Sequence, residues 1–231
     1  MHVSRETWRE VRAGVADTWT VGLGLIPLGL AFGMLMVQSG YAWWWTPVFS
    51  VVIYAGSMEF LAISLVSAGI GPLSAAVTGL MVNFRHIFYG LTFPREAIRG
   101  RAGRAYSTYA LTDESYAVAS SHPPGSLGGA RVLTIQALCQ ALWVLPGIVG
   151  ALVGQIIPPD VTGMEFALTA LFIVLGWEAF RNNRDVFLPA VAAALVVASA
   201  VLVPEQMLMV ALVLYFLILV LRFRRGAGQG S

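Results

Sequence analysis

Long apolar runs, broken at intervals by glycine, proline and arginine, dominate the chain from Thr18 to Leu221. A helix needs roughly 20 consecutive apolar residues to cross a bilayer core about 30 Å thick. Seven stretches meet or approach that length: about 18 to 38, 44 to 67, 72 to 93, 131 to 157, 163 to 180, 186 to 203 and 205 to 221. An eighth, Ala105 to Ser121, is short and carries Tyr106, Thr108, Thr112, Asp113, Glu114 and Ser115. Lipid cannot satisfy such groups, so it reads as a half-helix or re-entrant element. The pattern predicts an all-α, polytopic membrane helix bundle of about seven transmembrane helices plus this short polar half-helix.

Three regions follow from the same pattern. Residues 1–17 form a surface segment with mixed charge (Arg5, Glu6, Arg9, Glu10, Arg12, Asp17), 18–222 a single transmembrane transport domain, and 223–231 a flexible tail. The apolar run behind the charged lead is too long for a signal peptide, so the lead is expected to be retained.

Composition supports the membrane reading. The chain is 58% hydrophobic and 11% charged, whereas soluble domains carry about 25% charged residues. The formal net charge of +2 is too small to imply nucleic acid. Cys139 is the only cysteine, which excludes an intrachain disulfide and a multi-cysteine metal site; it reads as a small buried hydrophobe, and no cofactor is implied.

Short-loop arginines set the orientation. Arg95, Arg99, Arg101 and Arg104 in the 94–104 connection, Arg181 and Arg184 in the 181–185 turn, and Arg222, Arg224 and Arg225 near the C-terminus all point to the cytoplasm. Pro158 to Asp160 then lies outside and the 122–130 loop inside. Three full spans ahead of a cytoplasmic 94–104 loop put the N-terminus outside despite Arg5, Arg9 and Arg12. A re-entrant segment in the first half is the rival reading.

Gly29 and Gly33 behind Pro27, and Gly150 and Gly154 behind Pro146, each form G-x-x-x-G, a pattern that lets helices approach closely. Each proline reads as a kink or as part of a gate. A Pro/Gly-rich helix followed by Met58-Glu59-Phe60, and again by Met164-Glu165-Phe166, suggests an inverted repeat, with chance similarity as the alternative.

Ionisable groups inside spans cost about 2.5 kcal/mol or more and mark pathways or pairs. Asn83-Phe84-Arg85-His86-Ile87-Phe88-Tyr89-Gly90 is the strongest such run. Arg85 lies nine residues before Pro94, roughly 13 Å of helix, too far to snorkel comfortably. It either locks helices through a buried pair or binds a substrate carboxylate bidentately. Asn83, His86 and Gly90 share one helix face, with Arg85 and Tyr89 on its flank. His86 reads as a proton carrier or as a packing histidine. Gly56 and Ser57 weaken the helix ahead of Glu59 in the manner of a broken-helix site, and Glu59 could neutralise Arg85, bind an ammonium, carry a proton or simply end a helix. Asp113 and Glu114 are adjacent carboxylates, with a solvated helix start capped by Thr112 as the plain alternative. Glu178 with Arg181, and Glu165, read as structural.

These groups fit a transporter. An intramembrane hydrolase, with His86 as base and Ser57 or Ser115 as nucleophile, lacks any G-x-S-x-G or H-E-x-x-H motif, and the chain is read as not an enzyme. A non-catalytic subunit whose charges pair with another chain is the other alternative.

Pro27-Leu28-Gly29-Leu30-Ala31-Phe32-Gly33, Ile53-Tyr54-Ala55-Gly56-Ser57-Met58-Glu59-Phe60, the Asn83 to Gly90 run and Leu111-Thr112-Asp113-Glu114 together resemble AzlC-type branched-chain amino-acid permeases over nearly the whole chain. The resemblance implies the larger subunit of a two-component exporter in the cell membrane. Its partner would be a small AzlD-type membrane protein, and its substrates branched-chain amino acids or methionine. By matching position, Arg85, His86, Tyr89 and Asp113 are the leading site residues, with Glu114 and Gly56 next. Relatives commonly have glutamine at the position of Glu59, and some have aspartate at that of Asn83. The expected mechanism is proton-coupled: Arg85 orients the carboxylate, Glu59 or Asp113 receives the ammonium, and His86 with an acidic neighbour exchanges the proton. Assembly with further copies of the chain stays open.

Overall fold

The computed structural model describes residues 5–157, 173 and 185–227. Among these the chain is helical throughout: α1 Arg5–Gln38, α2 Trp45–Val52, α3 Gly56–Ser67, α4 Pro72–Asn83, α5 Arg85–Thr92, α6 Arg101–Tyr109, α7 Asp113–Ser120, α8 Gly129–Gly154, α9 Phe187–Leu202 and α10 Met207–Ala227, with 3-10 turns at Arg95–Ala97 and Pro204–Gln206. They fall in two compact units, one drawn from Met1–Gly69 and Asn83–Thr169, the other from Ile70–Val82 and Ala170–Ser231. The expected span 163–180, Pro158 to Asp160, Glu165, Glu178, Arg181 and Arg184 lie outside the described residues.

In the first unit, α1 and α8 form the spine. Both contain apolar stretches long enough to cross a membrane, Val21–Gln38 and Gly129–Gly154. Within the expected surface segment 1–17, residues 5–17 are helical and run on into the first span as one helix of 34 residues. The two G-x-x-x-G motifs face each other. A Cβ on Gly29 would stand 2.7 Å from the Trp143 carbonyl, one on Gly33 would strike the Gly147 carbonyl, and one on Gly150 would strike the Leu30 carbonyl. Contacts advance together along both helices, from Gly14 at Thr134 through Gly22 at Leu142 to Gly154 at Met34, so α1 and α8 run parallel. Equivalent helices of an inverted repeat run in opposite senses across the membrane. The parallel course therefore corrects the inverted-repeat expectation for the two helices that suggested it.

The expected span 44–67 is two helices. Tyr54 sits at φ +43° in the break, a conformation that costs a side-chain-bearing residue about 1–2 kcal/mol. Its ring is buried and lies 5.6 Å from that of Tyr109. On a continuous helix Ser50 and Glu59 would stand roughly 13 Å apart along the axis. Their side chains instead bond at 2.7 Å, so α2 and α3 fold back on each other.

The polar stretch is likewise two helices rather than one half-helix. α6 climbs along α8, with Gln136 donating to the Ser107 carbonyl and Tyr106 donating to Gln140. Thr112 then opens α7 with a reciprocal capping box to Ser115, and α7 returns until His122 reaches Arg131. α5 runs beside α7, pairing Arg85 with Asp113 and stacking Tyr89 on Tyr116. Phe93, Ile98, Ala119, Leu127 and Val132 close the end of the unit where α8 begins.

The charged lead belongs to that same end. Glu10 accepts from the Ala130 amide at the start of α8, and Asp17 pairs bidentately with Arg131. Residues 5–17 thus lie with the 94–104 and 122–130 connections. Three full spans ahead of the 94–104 loop would set it at the opposite end from the N-terminus; the shared end accords with the rival reading, a re-entrant segment in the first half, which the folded-back pair α2 and α3 can supply.

In the second unit, Asp185 pairs with Arg222 at 2.6 Å, and the Arg222 guanidinium lies over the Phe187 ring. The turn before α9 and the end of α10 therefore share one end of that unit.

Candidate functional site

The two helical hairpins, α2–α3 and α6–α7, meet tip to tip at mid-height of the α1–α8 spine. Breaking α2 leaves its last carbonyls without helical partners. Tyr109, at the end of α6, donates its hydroxyl to the Val51 carbonyl at 2.6 Å and accepts from Gln140. The tip of one hairpin thus satisfies the backbone exposed by the other.

Beneath the tips is a cavity of about 20 Å³, lined by Leu25, Tyr54, Gly56, Thr112, Glu114, Cys139 and Trp143. That is room for about one water molecule. A Cβ on Gly56 would press to 3.0 Å from the Trp143 ring, which explains glycine there.

Two carboxylates near this point have opposite surroundings. Asp113, the first residue of α7, receives the Arg85 guanidinium through two parallel bonds, from Nε at 2.9 Å to Oδ1 and from Nη2 to Oδ2. Both side chains keep solvent contact, at 44% exposure for Arg85 and 34% for Asp113. Glu59, on the first turn of α3, is fully buried. Ser50 donates to it at 2.7 Å, and Trp143 Nε1 donates to both of its oxygens at 3.0 and 3.1 Å. Among the described residues Glu59 has no ion-pair partner; of the roles left open for it, neutralising Arg85 is taken by Asp113.

The remaining candidates divide. Tyr89 joins the pair's surroundings through the Tyr116 stack, 4.2 Å between ring centroids. His86 lies beside Tyr89 and directs Nδ1 to the carbonyl of Asn83, the last residue of α4, at 3.1 Å. The Asn83 side-chain oxygen is buried without a hydrogen-bond partner. Ser57 is half-buried on α3, and Glu114 faces the cavity. Ser115 is engaged in the α7 cap and His86 with Asn83, so neither stands in a nucleophile–base pair. Sequence reasoning missed Ser50, Tyr109 and Trp143; each is an unremarkable residue in an apolar or aromatic run until the hairpins bring it to a carboxylate or a freed carbonyl.

The model of the AzlC protein family matches residues 20–157, the stretch that builds the spine and both hairpins. The chain belongs to the AzlC family. It is 36% identical over 213 residues to a membrane protein of Helicobacter pylori, an alignment covering 90% of this chain and 92% of that one. It is 28% identical over 205 residues to the branched-chain amino acid transport protein AzlC of Bacillus subtilis, covering 87% and 80%. With the inner membrane protein YgaZ of Escherichia coli it shares 27% identity over 196 residues, covering 81% and 79%. No solved structure matches.

Proposed function

We propose that this AzlC-family chain moves a branched-chain or related amino acid across the cell membrane, as the larger subunit of a two-component, proton-coupled exporter. The observation that carries the reading is the Arg85–Asp113 pair beside the hairpin tips. An amino acid is a zwitterion whose carboxylate fits the guanidinium fork and whose ammonium fits a carboxylate. It can insert between Arg85 and Asp113 and leave every charge paired. The empty carrier re-forms the pair, so neither state holds an uncompensated charge in low dielectric. Passage from one side to the other then requires the tips to part, since the space beneath them holds about one water.

Orientation follows from the hairpins. We place α2–α3 as a re-entrant pair from outside and α6–α7 as one from the cytoplasm. Crossings are then made by α1, the 72–93 run, α8 and the apolar stretches 163–180, 186–203 and 205–221. Six crossings put the N-terminus, the 94–104 loop, the 181–185 turn and the C-terminus inside, in accord with every arginine cluster. Trp43, Trp44 and Trp45 are exposed just beyond α1, where an interfacial aromatic belt is expected.

The test is efflux of valine, leucine and methionine from loaded vesicles, with and without a small AzlD-type partner. Wild-type efflux that disappears in Arg85→Gln and Asp113→Asn supports the reading. No efflux under either condition favours a non-catalytic subunit and overturns it.

A further inference from the structure

The reading above requires a proton to be carried, and the residues it places on the substrate leave that role unfilled. Glu59 is fully buried, on the first turn of α3, between the α2 hydroxyl of Ser50 and the α8 indole of Trp143. A buried carboxylate is strongly disfavoured as an anion unless a cation or several hydrogen bonds compensate it. Here the donors, Ser50, Trp143 and the Ala55 backbone amide, are all neutral, and among the described residues no cation pairs with Glu59. A second carboxylate, Glu114, acts on it electrostatically from α7 and borders the cavity that Gly56 and Trp143 also line. The other titratable groups around it are the Tyr109 phenol on α6, the Tyr54 phenol at the break and the Cys139 thiol on α8; α1 contributes the Phe32 ring, stacked on Trp143. Glu114 in turn feels its neighbour Asp113 and the Arg85 guanidinium of α5. A cation-free buried carboxylate bonded to Trp143 in the cavity wall, with a second carboxylate lining the same one-water cavity, makes a site for a proton.

We infer that Glu59 binds the coupling proton and that Glu114, through the water-sized cavity, relays it across the hairpin tips. This rests on the transport reading. Ser50 suits the role chemically: its hydroxyl donates to a carboxylate and can turn to accept from a carboxylic acid. Glu59 also joins α2, α3 and α8, and its bonds are stronger when it is charged. Protonation therefore loosens the outer hairpin from Trp143, which links proton binding to parting of the tips. His86 is less suited, since its Nδ1 is turned to the Asn83 carbonyl at the end of α4.

The experiment uses vesicles containing the full chain with its AzlD-type partner. Two readouts are compared: exchange of labelled leucine at equal pH on both sides, and leucine movement driven by a pH gradient. Glu59→Gln, which keeps an oxygen for Trp143 and Ser50, is expected to cut gradient-driven movement at least about tenfold while exchange stays within about threefold of wild type. Gradient-driven movement retained in Glu59→Gln, or exchange lost together with it, overturns the assignment. A wild-type protein that shows no exchange fails the transport reading instead. Proton binding is then decided by tryptophan fluorescence against pH, where a step present in wild type and absent from both Glu59→Gln and Trp143→Phe supports the site. No such step overturns it.

Discussion

Arg85–Asp113 and the Glu59 pocket sit at neighbouring levels of one unit, and both are carboxylate sites, yet their surroundings demand opposite things of them. Asp113 has a cationic partner and solvent contact, so its bonds can be traded for those of a ligand. Glu59 has neutral donors and no solvent contact, so the smallest ligand, a proton, is the one it can accept without opening the fold. Charge compensation and access distinguish the proposed substrate site from the proposed proton site more clearly than residue type does.

The largest effect is expected at the ion pair. Arg85→Gln removes two charge-assisted bonds to the substrate; at about 1.5 kcal/mol each, efflux kcat/KM falls about 100-fold. Asp113→Asn is expected to act in the same direction. Normal valine and leucine efflux in both variants would falsify the zwitterion clamp. Arg85→Lys keeps the charge but loses the fork, and about a tenfold loss, mostly in KM, is expected. Equal activity of lysine and arginine would reduce the site to a point charge.

Stability sharpens the other half of the contrast. Glu59→Ala leaves the buried Trp143 N–H and Ser50 hydroxyl without their acceptor and costs about 2 kcal/mol. Glu59→Gln retains it and is expected to melt near wild type in detergent. If both variants lose the same Tm, the pocket needs the anion itself. Gly56→Ala pushes a methyl to 3.0 Å from the Trp143 ring, and a smaller loss of about 1 kcal/mol is expected. An unchanged melt would mean that Trp143 moves freely and does not hold Glu59.

The smallest effect belongs to a third carboxylate, outside the apolar spans. The Arg131 guanidinium bonded to Asp17 holds its carboxyl below the usual carboxylate range. A depressed folded-state pKa contributes stability that is fully present above the unfolded value of about 3.9 and lost as pH falls through the lower folded value. Melting temperature should therefore drop below about pH 4, and less steeply in Asp17→Asn. An identical acid profile in the variant would remove this pair from the account of what joins α1 to α8.

Apolar length, glycine spacing and arginine placement were enough to determine helices, a membrane setting, glycine faces built for close packing and the AzlC resemblance, because each depends on local pattern or on composition; that the two glycine faces meet each other came from the structure. The same pattern marked Arg85, Asp113 and Glu59 as costly residues in apolar surroundings. Which of them pair was decided only by tertiary structure. Ser50 and Glu59 are nine residues apart in sequence, and whether they are distant on one helix or bonded across a hairpin depends on a left-handed Tyr54, a conformation that no hydrophobic pattern encodes. Trp143 reaches Glu59 from 84 positions away, and Arg85 finds Asp113 across 28. Pairing at such separations depends on where the hairpins turn, and so does which loops share an end with residues 5–17, since hydropathy measures how much apolar chain there is but not whether it crosses or folds back.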